Sequence, residues 1–383
     1  MIKMRQQEYF GFNSINNLRN ILLKHKPKNI FLVTGKNSYE KCGAKKILNK
    51  ILRNYNVVDF TEFEVNPKFD DIKKGLELFK KNNCDFVIAV GGGTTLDIAK
   101  AVNLFASNEE KSFIEYINNP TKIKNKGKVT VAIPTTSGSG SEATRYAVLY
   151  KDKVKYTLTH NFIIPEYAIV DPQFTMNLPA HITAFTGMDA LSQAIESYWS
   201  INSTDESKKY SREAIKLIIK NIPLAVNNSS EISRGTMTKA AHLAGNAINI
   251  TKTTACHAIS YPITSYFNVP HGHAVALTIA PMIVYNSQVT KQDLLDKRGV
   301  DYVKNTIKEI VELIGASNAE EASEKITNLM KEIGLSTKLS ELGIETDEDI
   351  EIIIRNGFNP DRVNNNPRKL TEETLRGILY EIR

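Results

Sequence analysis

Apolar positions in the first half of the chain come in short continuous runs, separated by stretches with helical spacing. "NIFLVTG" (29–35) is an apolar run that ends on glycine, and "YEKCGAKKILNKIL" (39–52) follows with apolar residues three and four apart. "NVVDFTEF" (56–63) reads as a strand and "FDDIKKGLELFKKNN" (69–83) as a helix. "DFVIAVGGGTTLDIAKAVNLFA" (85–106) is a buried strand, a glycine turn and a helix, and "KVTVAIPTTSGSGSEAT" (128–144) is a further strand running into a Ser/Gly/Thr loop. Strands apolar along their whole length are covered on both faces, so the pattern predicts a parallel α/β sheet.

The pattern changes after "NLP" (177–179). "DESKKYSREAIKLIIKNI" (205–222), "RGTMTKAAHLAGNAI" (234–248) and "DYVKNTIKEIVELIGA" (301–316) are long and helix-periodic, with few strand candidates between them. The expected organisation is an α/β nucleotide-binding domain over 1–178, a Rossmann-like parallel sheet, and an all-α domain over 179–383.

Composition adds limits. Hydrophobic residues make up 42% and charged residues 24%, ordinary for a globular chain. No apolar run approaches the roughly 20 residues that cross a bilayer, and the first residues lack a secretory pattern. Cys42, Cys84 and Cys256 are too scattered for a disulfide framework. A cytoplasmic protein with no membrane partner is expected. The net charge is +7, but the lysines are dispersed along helix faces, so no nucleic-acid partner is expected.

Two glycine- and hydroxyl-rich turns follow buried strands. Gly91, Gly92 and Gly93 let a phosphate approach the backbone at a helix N-terminus, and Thr94 adds a hydroxyl. The spacing is not GxGxxG. Thr135, Thr136, Ser139 and Thr144 form a second small-residue loop, and such paired loops are where open α/β sheets bind ligands. Asp97 and Lys155 complete the candidate nucleotide set. Gly35, Lys36 and Ser38 stand where a carboxylate would read a ribose 2′-hydroxyl. Without that carboxylate and with an ammonium beside it, NADP(H) is expected over NAD(H).

Asp189 and Gln193 lie four apart on one predicted helix face. His257 and His271, fourteen residues apart, fall on two further helices. Asp189, His257 and His271, from three helices, suit a mixed N/O site for Fe2+ or Zn2+.

The ordered set "GGGTTLDIAKA", "IPTTSGSGSEAT", "AIVDPQFTMNLP", "TGMDALSQAIESY", "PHGHAVAL" and "NNPRKLTEE" resembles the iron-type, or group III, alcohol dehydrogenases along nearly the whole chain. The resemblance implies nicotinamide-dependent interconversion of alcohol and aldehyde, with a divalent metal in the cleft between domains, and a homodimer is expected. The family's ligands are an aspartate and three histidines. Asp189, His257 and His271 match, and Gln193 stands in place of one histidine. Tyr261 stands where many members carry another histidine near the substrate.

The segment "ITKTTACHAISYPITSYF" (250–267) is similar to the phosphonoacetaldehyde reductase branch, which makes 2-hydroxyethylphosphonate. Lys252 takes the place of a glycine common in the family. Lys252, Thr253, Thr254 and Arg362 are the candidate substrate anchors, with Arg368 as a further fork for an anion. Tyr261, His273 or water is the candidate proton source. The alternatives are a generic primary-alcohol or diol dehydrogenase, a lyase related to dehydroquinate synthase, and a nucleotide-binding regulator without catalysis.

Overall fold

The computed structural model describes residues 6–108 and 112–383. The chain divides into two compact units, Met1–Leu178 and Pro179–Arg383.

The first unit is built on a six-stranded sheet in the order β1-β8-β5-β4-β2-β3, every neighbouring pair parallel. Its strands are β1 (Gln7–Phe10), β2 (Asn29–Thr34), β3 (Asn56–Phe60), β4 (Phe86–Gly91), β5 (Val129–Pro134) and β8 (Tyr167–Val170). The helices are α1 (Asn17–His25), α2 (Ser38–Lys41), α3 (Ala44–Leu52), α4 (Phe69–Lys81), α5 (Gly93–Ala106) and α6 (Phe113–Asn118). Alternate residues of the central strands feed two cores. Phe31, Val33, Val87 and Ala89 pack with α4 and α5, and Ile30, Leu32, Ile88 and Val90 pack with α1 and α3. This two-sided burial is why those strands carry no polar face. The strand order reverses direction between β2 and β4, so the loops after these two strands flank the topological switch point.

Three features depart from the sequence pattern. The predicted helix over 39–52 is two helices, α2 and α3, because Gly43 at φ 82° breaks the turn between them. Strand β1 has mostly exposed residues at the sheet edge, so it left no apolar signal. A separate antiparallel hairpin, β6 (Tyr146–Lys151) and β7 (Val154–Thr159), follows the Ser/Gly/Thr loop and turns at Asp152, where φ is 55°.

The second unit consists of α7 (Ala180–Trp199), α8 (Asp205–Asn227), α9 (Glu231–Thr251), α10 (Ala255–Phe267), α11 (His271–Ser287), α12 (Val300–Ile314), α13 (Ala319–Glu332), α14 (Asp347–Gly357), α15 (Pro360–Val363) and α16 (Glu372–Glu381). Helix α7 is buried almost all round and forms the axis of this unit. Capping boxes at Thr204/Ser207 and Ser230/Ser233 start α8 and α9.

Candidate active site

In the first unit, Gly92 caps α5 and Gly93 opens it, directly after β4. The loop after β5 folds over this turn, with the Thr135 N–H donating to the Gly91 carbonyl at 3.0 Å. A Cβ on Gly91 would meet Thr95 Oγ1 at 2.4 Å, and one on Gly93 would meet Ser139 Oγ at 2.9 Å. Gly91 therefore lets Thr95 of α5 pack against the strand end, and Gly93 lets the loop after β5 close on the turn, at a helix N-terminus of the kind that receives phosphate. Thr94, Thr136 and Ser139 remain partly exposed beside it. Gly35, Lys36 and Ser38 lie across the switch point, after β2, with Lys36 and Ser38 exposed.

Two of the expected cofactor contacts are spent inside the protein. Asp97 accepts from Ser141 Oγ at 2.5 Å and from the Val148 N–H at 2.9 Å. The Thr144 hydroxyl is engaged by Lys100 Nζ and the Ser141 carbonyl, both at 3.3 Å. These groups fasten the loop and the hairpin to α5 and do not face a ligand. Lys155, on β7, lies within electrostatic reach of Asp97.

The centre of that fastening is Lys100, a residue the sequence reading missed. It is buried and donates to the Ser141 carbonyl at 2.8 Å and the Tyr146 carbonyl at 2.5 Å. Burial pulls its ammonium down to about 8, against the pull of Asp97 and Glu142. The signal was its spacing from Asp97, three residues on along the same helix face.

In the second unit, Asp189 on α7, His257 on α10 and His271 on α11 bring ligand atoms within 4.8 Å of one another. Gly272 makes the approach possible. A Cβ there would stand 2.0 Å from the Phe185 carbonyl oxygen and 2.8 Å from Asp189 Cβ, so the first turn of α11 can press against α7 only without a side chain. His257 Nε2 lies 3.5 Å from Asp189 Oδ1, and the two imidazole centroids are 5.5 Å apart. His271 Nδ1 faces Ser260 Oγ at 3.4 Å. Gln193, 4% exposed, hydrogen-bonds the Asp189 carboxylate.

Glu196 organises this cluster and was also missed. Its Oε1 accepts from the N–H groups of Thr254 (3.1 Å), Cys256 (2.9 Å) and His257 (3.3 Å), and from Thr254 Oγ1 (2.7 Å). Its Oε2 holds His257 Nδ1. A carboxylate from α7 thus caps α10 and, by holding Nδ1, leaves Nε2 of His257 as the ring nitrogen turned toward Asp189. The residues Asp189, Gln193 and Glu196 follow a 0, +4, +7 spacing, a helix face legible in "DALSQAIE".

Charge follows this geometry. Burial lowers the basicity of His257, but Glu196 and Asp189 outweigh it and raise its pKa to about 9. Burial pushes the Asp189 carboxyl up, yet His257, His271 and Gln193 outweigh it and hold Asp189 below its ordinary value. Asp189 Oδ1 is buried without a hydrogen-bond donor. An ionised oxygen so placed, beside two imidazoles, fits a divalent cation.

The chain shares its two units with a defined family. The iron-containing alcohol dehydrogenase family matches residues 6–172, and the C-terminal family of the Fe-containing alcohol dehydrogenases matches residues 183–382. The chain belongs to the iron-containing alcohol dehydrogenases. It is 31% identical to an NADPH-dependent butanol dehydrogenase of Clostridium saccharobutylicum, over 97% of this chain and 94% of that protein. It is similar to the crystal structure of a sulfoacetaldehyde reductase of Bifidobacterium kashiwanohense in complex with NAD+, with TM-score 0.87, 30% identity and coverage of 98% and 96%. An iron-containing alcohol dehydrogenase of Thermotoga maritima matches with TM-score 0.86 and 31% identity, over 100% of this chain and 99% of that one. This dehydrogenase therefore uses a nicotinamide cofactor and a divalent metal, and interconverts alcohol and aldehyde.

The expected substrate residues of this dehydrogenase are only partly brought together. Tyr261 lies beside His271, ring centroids 6.4 Å apart, and its hydroxyl accepts from Arg362 Nε at 3.3 Å. Three expectations are corrected. Thr254 is fully buried, its hydroxyl donating to Glu196 and accepting from Trp199 Nε1 at 2.9 Å, so it faces no substrate. His273, two residues past His271, points to the opposite side of α11, where Nε2 meets the Ser336 carbonyl at 2.7 Å. It is not placed to give a proton. Arg368 pairs with Asp293 at 2.7 Å and stacks over the Tyr285 ring. Lys252 and Thr253 lie in the turn that leads into α10.

Proposed function

We propose that this enzyme reduces a short aldehyde carrying an anionic group, phosphonoacetaldehyde foremost, to the primary alcohol. The observation that carries the reading is the Arg362–Tyr261 pair beside His271, which sets a guanidinium next to the cluster that fits a metal. Similarity to a sulfoacetaldehyde reductase, whose named substrate is an anionic two-carbon aldehyde, supports it. Asp189, His257 and His271, with Gln193 as a fourth group, would hold Fe2+ or Zn2+, a Lewis acid for the carbonyl oxygen. The nicotinamide supplies hydride.

The chain's own residues do the rest. The glycine turn after β4 and the loop after β5 receive the cofactor phosphates. The absence of a carboxylate at Gly35, with Lys36 exposed beside it, supports NADPH over NADH. Tyr261 gives its phenolic proton to the product oxygen, while Arg362 holds the ring in place and attracts the anion. A generic primary-alcohol dehydrogenase is the second reading, favoured by the similarity to a butanol dehydrogenase.

A steady-state panel of phosphonoacetaldehyde, sulfoacetaldehyde and butanal separates the two. It is run with NADPH and NADH, after chelation and after return of Fe2+ or Zn2+. The proposal expects the highest kcat/KM for phosphonoacetaldehyde with NADPH, and loss of rate on chelation. Preference for butanal returns the enzyme to the second reading. Full activity after exhaustive chelation refutes the metal role.

A further inference from the structure

Lys252 ends α9 at φ 62° and ψ 173°. Only glycine adopts this region readily, because a Cβ there crowds the neighbouring backbone. Asn13, Lys26 and Asn268 also have positive φ, but ψ values of 11°, 54° and 22° place them in the ordinary left-handed region. Lys252 is in a different and costlier state.

The surroundings impose that state. The Lys252 N–H donates to the Ile248 carbonyl at 2.8 Å, and its carbonyl accepts from Thr251 Oγ1 at 2.7 Å. The next carbonyl, of Thr253, accepts from Asn365 Nδ2 at 3.1 Å, and the following N–H is tied to Glu196. All these bonds are made by backbone atoms at positions 252–254. Glycine at 252 would make the same ones without strain. The lysine side chain, half-buried, has no hydrogen bond or ion pair among the described residues.

A strained residue whose charged end makes no polar contact with the fold points to a role in binding. We infer that Lys252 is a specificity-determining residue whose ammonium binds the anionic group of the substrate, a phosphonate or a sulfonate. It stands five residues before His257, in the turn whose geometry Glu196 fixes together with the His257 ring. A phosphonate dianion gains more from this point charge than a sulfonate monoanion. The inference rests on the anionic-aldehyde reading and names the residue that would make the choice.

The test compares Lys252→Gly, Lys252→Ala and Lys252→Arg on phosphonoacetaldehyde, sulfoacetaldehyde and butanal, with melting curves of each. Charge-assisted hydrogen bonds predict a loss in kcat/KM for phosphonoacetaldehyde of roughly 10- to 100-fold in the Gly and Ala variants, carried mostly by KM. Sulfoacetaldehyde should lose less and butanal least, and Lys252→Arg should recover most of the rate. Lys252→Gly should melt roughly 2–4 °C above Lys252→Ala, because it alone relieves the backbone. Equal losses for charged and neutral aldehydes would overturn the inference while leaving the anionic reading intact. A wild-type enzyme that ignores phosphonoacetaldehyde and sulfoacetaldehyde yet reduces butanal would overturn both.

Discussion

Glu196 is itself fully buried, yet it sets His257. Its Oε1 is shared among three backbone N–H groups and a hydroxyl, and its Oε2 fixes the imidazole tautomer. Glu196→Gln keeps the shape but removes the charge, so metal affinity should fall about 10- to 100-fold. Titration of the chelated protein with Zn2+ reads this directly. The same carboxylate gives a pH signature. The folded pKa of His257, about 9, lies above its ordinary 6.5, so the folded state holds the extra proton between these values. Its contribution to the metal-free fold is complete below about pH 6.5 and is lost as pH rises through 9. The melting temperature of chelated enzyme should carry a downward component over that window, absent in His257→Gln. Zn2+ affinity should move the other way, rising about tenfold per pH unit as the competing proton leaves.

At the scale of elements, the Asp97–Lys100 pair makes α5, the loop after β5 and the β6–β7 hairpin a single fastened piece. Lys100→Met would leave the Ser141 and Tyr146 carbonyls without their buried donor, at a cost of about 2–4 kcal/mol. Chemical denaturation should show this loss, and the KM for the nicotinamide cofactor should rise as the loop loosens over the glycine turn. The central strands were legible because burial on both faces leaves unbroken apolar runs such as "FVIAV". Strand β1 and the hairpin were not, since an edge strand and a two-stranded ribbon keep polar faces. The ligand-bearing helices were legible as helices. Glu196 was passed over because a glutamate on a buried helix has no meaning until the N-terminus it caps is known, and that N-terminus lies 58 residues away in sequence. Thr254 and Asp97 looked like ligand contacts for the same reason: the partners that occupy them are distant in the chain.

At the scale of the molecule, the glycine turn after β4 and the Asp189–His257–His271 cluster belong to different units. Among the described residues, the cluster that fits a metal stands on α7, α10 and α11 of the second unit. A bound ion stabilises only the state that assembles its ligands. Chelation should therefore lower the unfolding temperature of Pro179–Arg383 and leave that of Met1–Leu178 unchanged. Calorimetry with site-specific proteolysis of each unit separates the two, and equal shifts in both would show a different coupling.

Two carboxylates, Asp189 and Glu196, are buried within reach of one imidazole, and their formal charges sum to two negatives. A divalent ion brings this buried ensemble to neutrality. Without the ion, a proton on His257 offsets half of the excess. A trivalent ion would leave one positive charge stranded in the same apolar surroundings, where an uncompensated charge is costly. The charge balance of this cluster therefore favours a divalent ion over a trivalent one. Ferrous enzyme exposed to air should lose iron as it oxidises, and metal content before and after exposure would show it. A ferric ion retained at full stoichiometry would mean that some further anion joins Asp189 and Glu196 in the balance.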